Sequence, residues 1–215
     1  MITKQNALSA NKLNRNTYVF LFSVITACIT LIVVLHFAQD VSYRQLTADP
    51  NNLGKQPFYS GILSQIGIFF WSAIITTSLV FAYINRFYRQ DKHVRSFFIW
   101  SALIVLWLAI DDCFLFHEDV LPSLGIPQKV IVFGYGLMVL VYLYKFKGLI
   151  LKTPFILLLA AFGCFGLSVF IDFFLHFEGE TYIDSLIEDG AKFTGIVLWF
   201  AYIFNCKSLV LKEKL

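Results

Sequence analysis

Six stretches of the chain, about residues 18–38, 61–84, 96–116, 128–144, 154–176 and 190–206, are mostly apolar over 17 to 24 positions. A helix rises about 1.5 Å per residue and the hydrocarbon core of a bilayer is roughly 30 Å thick, so each run can cross or falls within a turn of crossing. The fourth and sixth runs are the short ones, and each can be lengthened by a turn into its flank. Nothing else in the sequence limits the fold as tightly. Only helices and closed barrels satisfy their backbone polar groups in lipid, and runs of this length are helical.

Composition removes the soluble alternative. Charged residues make up 14% of the 215 positions and hydrophobic ones 58%, with a mean hydropathy of +0.72, whereas a soluble domain carries about a quarter charged residues. The net charge of +3 and the lack of basic tracts interleaved with aromatics exclude a nucleic-acid partner. Cys28, Cys113, Cys164 and Cys206 stand singly in apolar runs, without metal-knuckle or disulfide spacing, and read mostly as packing residues, Cys113 being the exception because of its acidic neighbours. The first run is too long for the core of a cleaved signal, so it reads as a permanent anchor.

Lysine and arginine set the orientation. Thirteen lie in the N-terminal segment, 85–95, 145–153 and the C-terminal tail, against three (Arg44, Lys55, Lys129) in the alternate loops. Basic loops stay cytoplasmic. The expected architecture is therefore an all-α, six-helix, multi-pass bundle in the cell (inner) membrane. Residues 1–17 form a cytoplasmic segment, 18–206 the transmembrane domain and 207–215 a cytoplasmic tail. Membrane lipids are its solvent and first partners.

Against this background the acids are unevenly placed. Twelve of fourteen fall in the outer loops or the outer ends of spans. "AIDDCFLFHEDVLP" alone holds Asp111, Asp112, His117, Glu118 and Asp119. Counting from the cytoplasmic ends puts Asp111, Asp112, Asp172 and Lys192 about a turn below the outer surface. Ionisable groups there normally face the bundle interior and pair. At 100° per residue a straight third helix places Asp111, Phe114 and Glu118 on a stripe with Trp107, Ile104 and Trp100, leaving His117 to one side. The fifth run aligns Ser168, Asp172 and His176; the sixth aligns Glu188, Lys192, Gly195, Trp199 and Tyr202; the first ends with His36 a turn from Asp40.

The pattern Asp111-Asp112-x4-His117-Glu118, followed by Glu188-x3-Lys192-x2-Gly195, resembles a family of multi-pass bacterial membrane proteins with a D-[DE]-x4-H-E signature at the end of one span. The likeness covers roughly residues 96–206. It implies a shared fold and polar site without supplying an activity. A looser likeness, of inventory only, is to membrane hydrolases of the alkaline-ceramidase type, which hold zinc with three histidines beside Asp and Ser. Their paired H-x3-H ligands are absent from this sequence.

Three readings of chemistry follow. In the first, His36, His117 and His176, with Glu188, are candidate ligands for a divalent metal, zinc or iron, since neutral imidazoles and carboxylates bind both. Asp111, Asp112, Glu118, Asp172 and Lys192 are then candidate catalytic residues of a metal-dependent hydrolase or oxidase acting on a lipid-like or isoprenoid molecule. The bland alternative makes these residues hydrogen-bonded groups at a wet interface, with Lys192 neutralising Asp111 or Asp172. Ser168, Asp172 and His176 rise about 6 Å apart along one helix, too far for a nucleophilic triad. The second reading is cation or proton transport, which needs polar groups continuing across the membrane; the inner halves offer mainly hydroxyls and Asn205. The third is a non-catalytic assembly factor whose charges only fix helix packing. The aromatic stripes of Trp100–Trp107 and Trp199–Tyr202 serve as packing, or as the floor of a cup for a lipid tail.

Overall fold

The computed structural model describes residues 15–48, 50–57, 59–174 and 182–211, with side chains left undescribed at 15–18, 20, 21, 174 and 182–185. Helices account for nearly all of it, and no strand occurs among the described residues. Contacts divide the chain into two compact units, residues 1–60 and 61–215.

The first unit holds α1 (Arg15–Gln39), α2 (Tyr43–Thr47) and α3 (Pro50–Leu53). Within α1, Phe22–Gln39 is long and apolar enough to cross a membrane. Asp40, at φ 53°, turns the chain after it. Ser42 then starts α2 with a capping box: the Gln45 N–H donates to Ser42 Oγ at 3.3 Å and the Ser42 N–H to Gln45 Oε1 at 3.1 Å, which satisfies two otherwise orphaned donors.

The second unit holds α4 (Ile62–Tyr88), α5 (Lys92–Phe114), a π-helical turn (Phe116–Val120), the single turn α6 (Leu121–Ser123), α7 (Gln128–Ile150), α8 (Phe155–Phe174), α9 (Tyr182–Asn205) and a closing 3-10 turn (Cys206–Leu209). In α4 the residues Gly67, Trp71, Ile74, Ser78, Ala82 and Asn85 form the buried face, a helical stripe set by the 3.6-residue period. It packs on α5 and α9; α9 in turn packs on α8, while α7 touches α5. Trp199 sits at the centre, fully buried, with its ring 6.0 Å from Trp71 and 5.1 Å from Phe162. Gly195 lets α9 and α8 approach closely. A Cβ there would lie 2.9 Å from Phe165 Cε1 and 3.0 Å from the Ala161 carbonyl oxygen.

Among the described residues, five helices are long and apolar enough to span a membrane: α1, α4, α5, α7 and α8. The stretch expected as a sixth span folds as the helix α9, 24 residues long, but it is not among these five, and Glu188, Asp189 and Lys192 lie in its N-terminal half. Two helices run past the expected ends. α4 continues to Tyr88, and α7 continues through Lys145 and Lys147 to Ile150. The lysines tolerate this because their ammonium groups lie over rings, Lys145 Nζ 4.4 Å from the Trp100 centroid and Lys147 Nζ 5.0 Å from Tyr144, the long stems reaching along apolar surface. The two aromatic stripes do not form one floor. Trp199 and Tyr202 are fully buried, whereas Trp100 and Trp107 are exposed on the far side of α5, whose packed face is Phe97, Phe98, Ser101 and Val105.

Candidate functional site

α5 ends where the straight-helix reading fails. Leu115 adopts the left-handed conformation (φ 53°, ψ 42°), and its N–H caps the Asp111 carbonyl. The chain then winds into the π-helical turn, with the Asp119 N–H donating to the Leu115 carbonyl at 2.8 Å. In an unbroken helix, residues 111 and 117 would stand about 9 Å apart along the axis and 120° apart around it. The reversal at Leu115 folds His117 back instead. Its backbone N–H donates to Asp111 Oδ1 at 2.9 Å and its Nδ1 to Oδ2 at 2.5 Å. Glu118 accordingly leaves the Asp111 stripe on which a continuous helix would have put it.

Asp111 is only 4% exposed and receives a third donor, the Tyr135 hydroxyl of α7, at 2.8 Å. A buried carboxylate persists as an anion when hydrogen bonds replace its water in this way. On the far side of the ring, His117 Nε2 faces Glu118 Oε1 at 3.3 Å, and the Glu118 side chain is 46% exposed. Burial pulls the imidazole pKa down, but the hydrogen bonds and charges of Asp111 and then Glu118 outweigh it and hold His117 at about 9. Glu118 is held below its usual range by the His117 hydrogen bond against burial, helped by the charges of His117 and Lys192.

The neighbouring carboxylate is used differently. Asp112, 9% exposed, pairs through Oδ1 with Lys192 Nζ of α9 and accepts the Trp71 indole N–H of α4 on Oδ2 at 3.2 Å. The expectation that Lys192 faces Asp111 or Asp172 is corrected: its partner is Asp112. Consecutive residues on α5 point about 100° apart, so Asp111 serves the α7 side and Asp112 the α4–α9 side. Beside this pair lies a cavity of about 100 Å³ between the start of α4 and the middle of α9.

Two of the remaining candidates, Asp172 and His36, make their contacts elsewhere. Asp172 accepts from Gln128 Nε2 of α7 at 3.1 Å, and no hydrogen bond or ion pair links it to Asp111, Asp112 or Lys192. Glu188 is half-buried one turn before Lys192. His36 belongs to the first unit, where its Nδ1 donates to the Val41 carbonyl at 2.7 Å and its ring stacks 4.0 Å from Tyr43. His176 lies outside the described residues. Among the described residues, no three His, Cys, Asp or Glu side chains converge as a metal-ligand set, and both His117 nitrogens face carboxylates.

Tyr135, Trp71 and Gln128 escaped the sequence reading. Each is a polar-tipped or amide side chain in an apolar run, and a single sequence has no signal that separates such a residue from a lipid-facing one. Trp71 had the best claim, since it falls on the Gly67–Ile74–Ser78 stripe of α4.

Comparison with curated proteins and comparison with solved structures each find no match. One family model does match, over residues 21–206, which takes in both units and the whole cluster. The chain belongs to that family, described as a domain of unknown function, DUF8692.

Proposed function

We propose that the chain is a membrane enzyme whose Asp/His/Glu cluster, in the outer leaflet, transfers protons to an amphipathic substrate. One observation carries the reading. A buried carboxylate, itself fixed by Tyr135, grips the His117 ring through Nδ1 and leaves Nε2 towards the half-exposed Glu118. That is the arrangement of a positioned acid–base imidazole, in which the carboxylate sets tautomer and orientation. A substrate group that displaces Glu118 meets the Nε2 proton directly. For an ester or amide, Glu118 would take a proton from water, the resulting hydroxide would attack the carbonyl, and His117 would protonate the leaving group.

A metal-assisted hydrolase or oxidase is the second form of the reading. It requires His117 Nε2 to give up its proton as well as Glu118 before it can take an ion, so the proton-transfer form needs less rearrangement. Transport ranks below both. The inner hydroxyls do not form an open relay: Ser101 donates to the Phe97 carbonyl and Thr153 to the Ile150 carbonyl, so Tyr142 and Tyr202 use their protons on Ser101 and Thr153. The outer location rests on the basic residues at the opposite end, including the ring-stacked Lys145, Lys147 and Lys207.

The test is conversion. Purified protein is reconstituted into vesicles made from the lipids of its host cell, and the lipids are followed by mass spectrometry. A lipid species should disappear with wild type and persist, about 100-fold slower or more, with His117→Ala. Identical lipid profiles for both proteins would end the enzyme reading.

A further inference from the structure

The cavity beside the Asp112–Lys192 pair is walled by Gly61, the residue that precedes α4, by Ser64 and Gly67 of α4, and by Asp189, Lys192 and Phe193 of α9. It exists because α4 carries little bulk there. A Cβ at Gly61 would meet nothing within 4 Å, and one at Gly67 only Ile196 Cδ1 at 3.5 Å. At about 100 Å³ the space suits a head group and not a hydrocarbon tail.

Its charge is not balanced. Lys192 is committed to Asp112, and this pair is close to neutral as a unit. Asp189 stands at the rim, exposed, and both it and Glu118 lie within electrostatic reach of Lys192. Counting Asp112, Glu118 and Asp189 against Lys192 and His117 leaves one surplus negative charge, and Asp111 makes it two. An anionic head group would enter a site already negative, whereas a cation would restore balance. The wall adds the Phe193 ring and a serine hydroxyl to the carboxylates, the combination that holds a substituted ammonium group.

We infer that the cavity between the start of α4 and the middle of α9 binds a small organic ammonium group, with Asp189 as its counter-ion and Phe193 and Ser64 as its walls. This rests on the reading of the cluster as a substrate site, and it names the substrate's head group as an amine. The source is either a free amine or the head group of an amino-phospholipid.

Choline chloride is titrated into the purified full chain in neutral maltoside micelles, against sodium chloride at matched ionic strength, while thermal unfolding is followed. In a second arm, nanodiscs of phosphatidylglycerol alone are compared with nanodiscs containing phosphatidylethanolamine. A saturable rise in midpoint with choline marks a free-amine site; a rise only with phosphatidylethanolamine marks a lipid head group. In either case Asp189→Asn should weaken the effect about tenfold, one lost charge pair being worth about 1.4 kcal/mol, and Ser64→Phe, which fills the space from an exposed position, should abolish it. A midpoint that moves equally with both salts, that responds to inorganic phosphate instead, or that is untouched in Asp189→Asn overturns the inference. Ammonium binding without lipid conversion would sink the enzyme reading and leave this one standing.

Discussion

The Asp112–Lys192 pair ties α5 to α9, and its energetics follow from three side chains, the pair itself and Trp71. Asp112 Oδ1 receives Lys192 and Oδ2 receives Trp71. Unit charges about 4 Å apart attract by roughly 4 kcal/mol at an effective dielectric near 20. About a third of the Lys192 side chain is exposed, so solvent screening reduces the net coupling to about 2 kcal/mol. Lys192→Met should then destabilise by about 3 kcal/mol, because Asp112 is left buried with only the indole for company. Asp112→Asn can still turn its amide oxygen to Trp71, but its amino group then opposes the ammonium, donor against donor. With both changes combined, neither charge remains and Trp71 keeps its acceptor. The double variant should therefore lose at least about 2 kcal/mol less than the sum of the singles. Equilibrium unfolding in mixed dodecyl sulfate–maltoside micelles, read by tryptophan fluorescence, measures all three. Additivity within about 0.5 kcal/mol would refute the pairing.

Other expectations are more local. His117 has its pKa raised from 6.5 to about 9, so its stabilisation, up to about 3 kcal/mol, should be complete below pH 6.5 and vanish as pH rises through 9; Asp111→Asn should flatten that limb of the unfolding profile. Glu118 is shifted the other way, and its smaller contribution should be present above its ordinary 4.5 and fade as pH falls through its lowered value, a loss missing in Glu118→Gln. Asn85 is fully buried with neither side-chain polar atom bonded, so Asn85→Leu should raise stability by about 1 kcal/mol or more, since an unmet buried amide costs about 1–3 kcal/mol. Leu115 holds a left-handed conformation and is largely exposed. Leu115→Gly should be neutral to stabilising by about 1 kcal/mol, whereas the β-branched Leu115→Val should destabilise, as thermal midpoints in detergent would report.

The helices were legible because bilayer thickness converts directly into run length, and the cluster's members because charge is rare in this chain. What a single sequence hid was the geometry between them. The break at Leu115 has no glycine or proline to announce it, so helical periodicity put His117 off the Asp111 face and Glu118 on it, the reverse of what the reversed chain does. Asp112, adjacent to Asp111, proved to serve a different pair of helices, a distinction that depends on which neighbours α5 has. His36 looked equivalent to His117 by its place at a span's end, yet its nitrogen is taken by the Val41 carbonyl in a local turn. Gly195 was read as part of a motif, and the contact with Phe165 and Ala161 gives it a packing reason.

The acid–base site turns on an imidazole held in its charged form by the carboxylate six residues before it. Nitrogen-15 NMR of the His117 ring, in protein reconstituted in nanodiscs and titrated from pH 5 to about 10, reads that state directly. An apparent pKa near 9, collapsing towards 6.5 in Asp111→Asn, is the expected result. A wild-type ring that titrates at or below 6.5 would contradict the grip of Asp111 on His117, and with it the acid–base site.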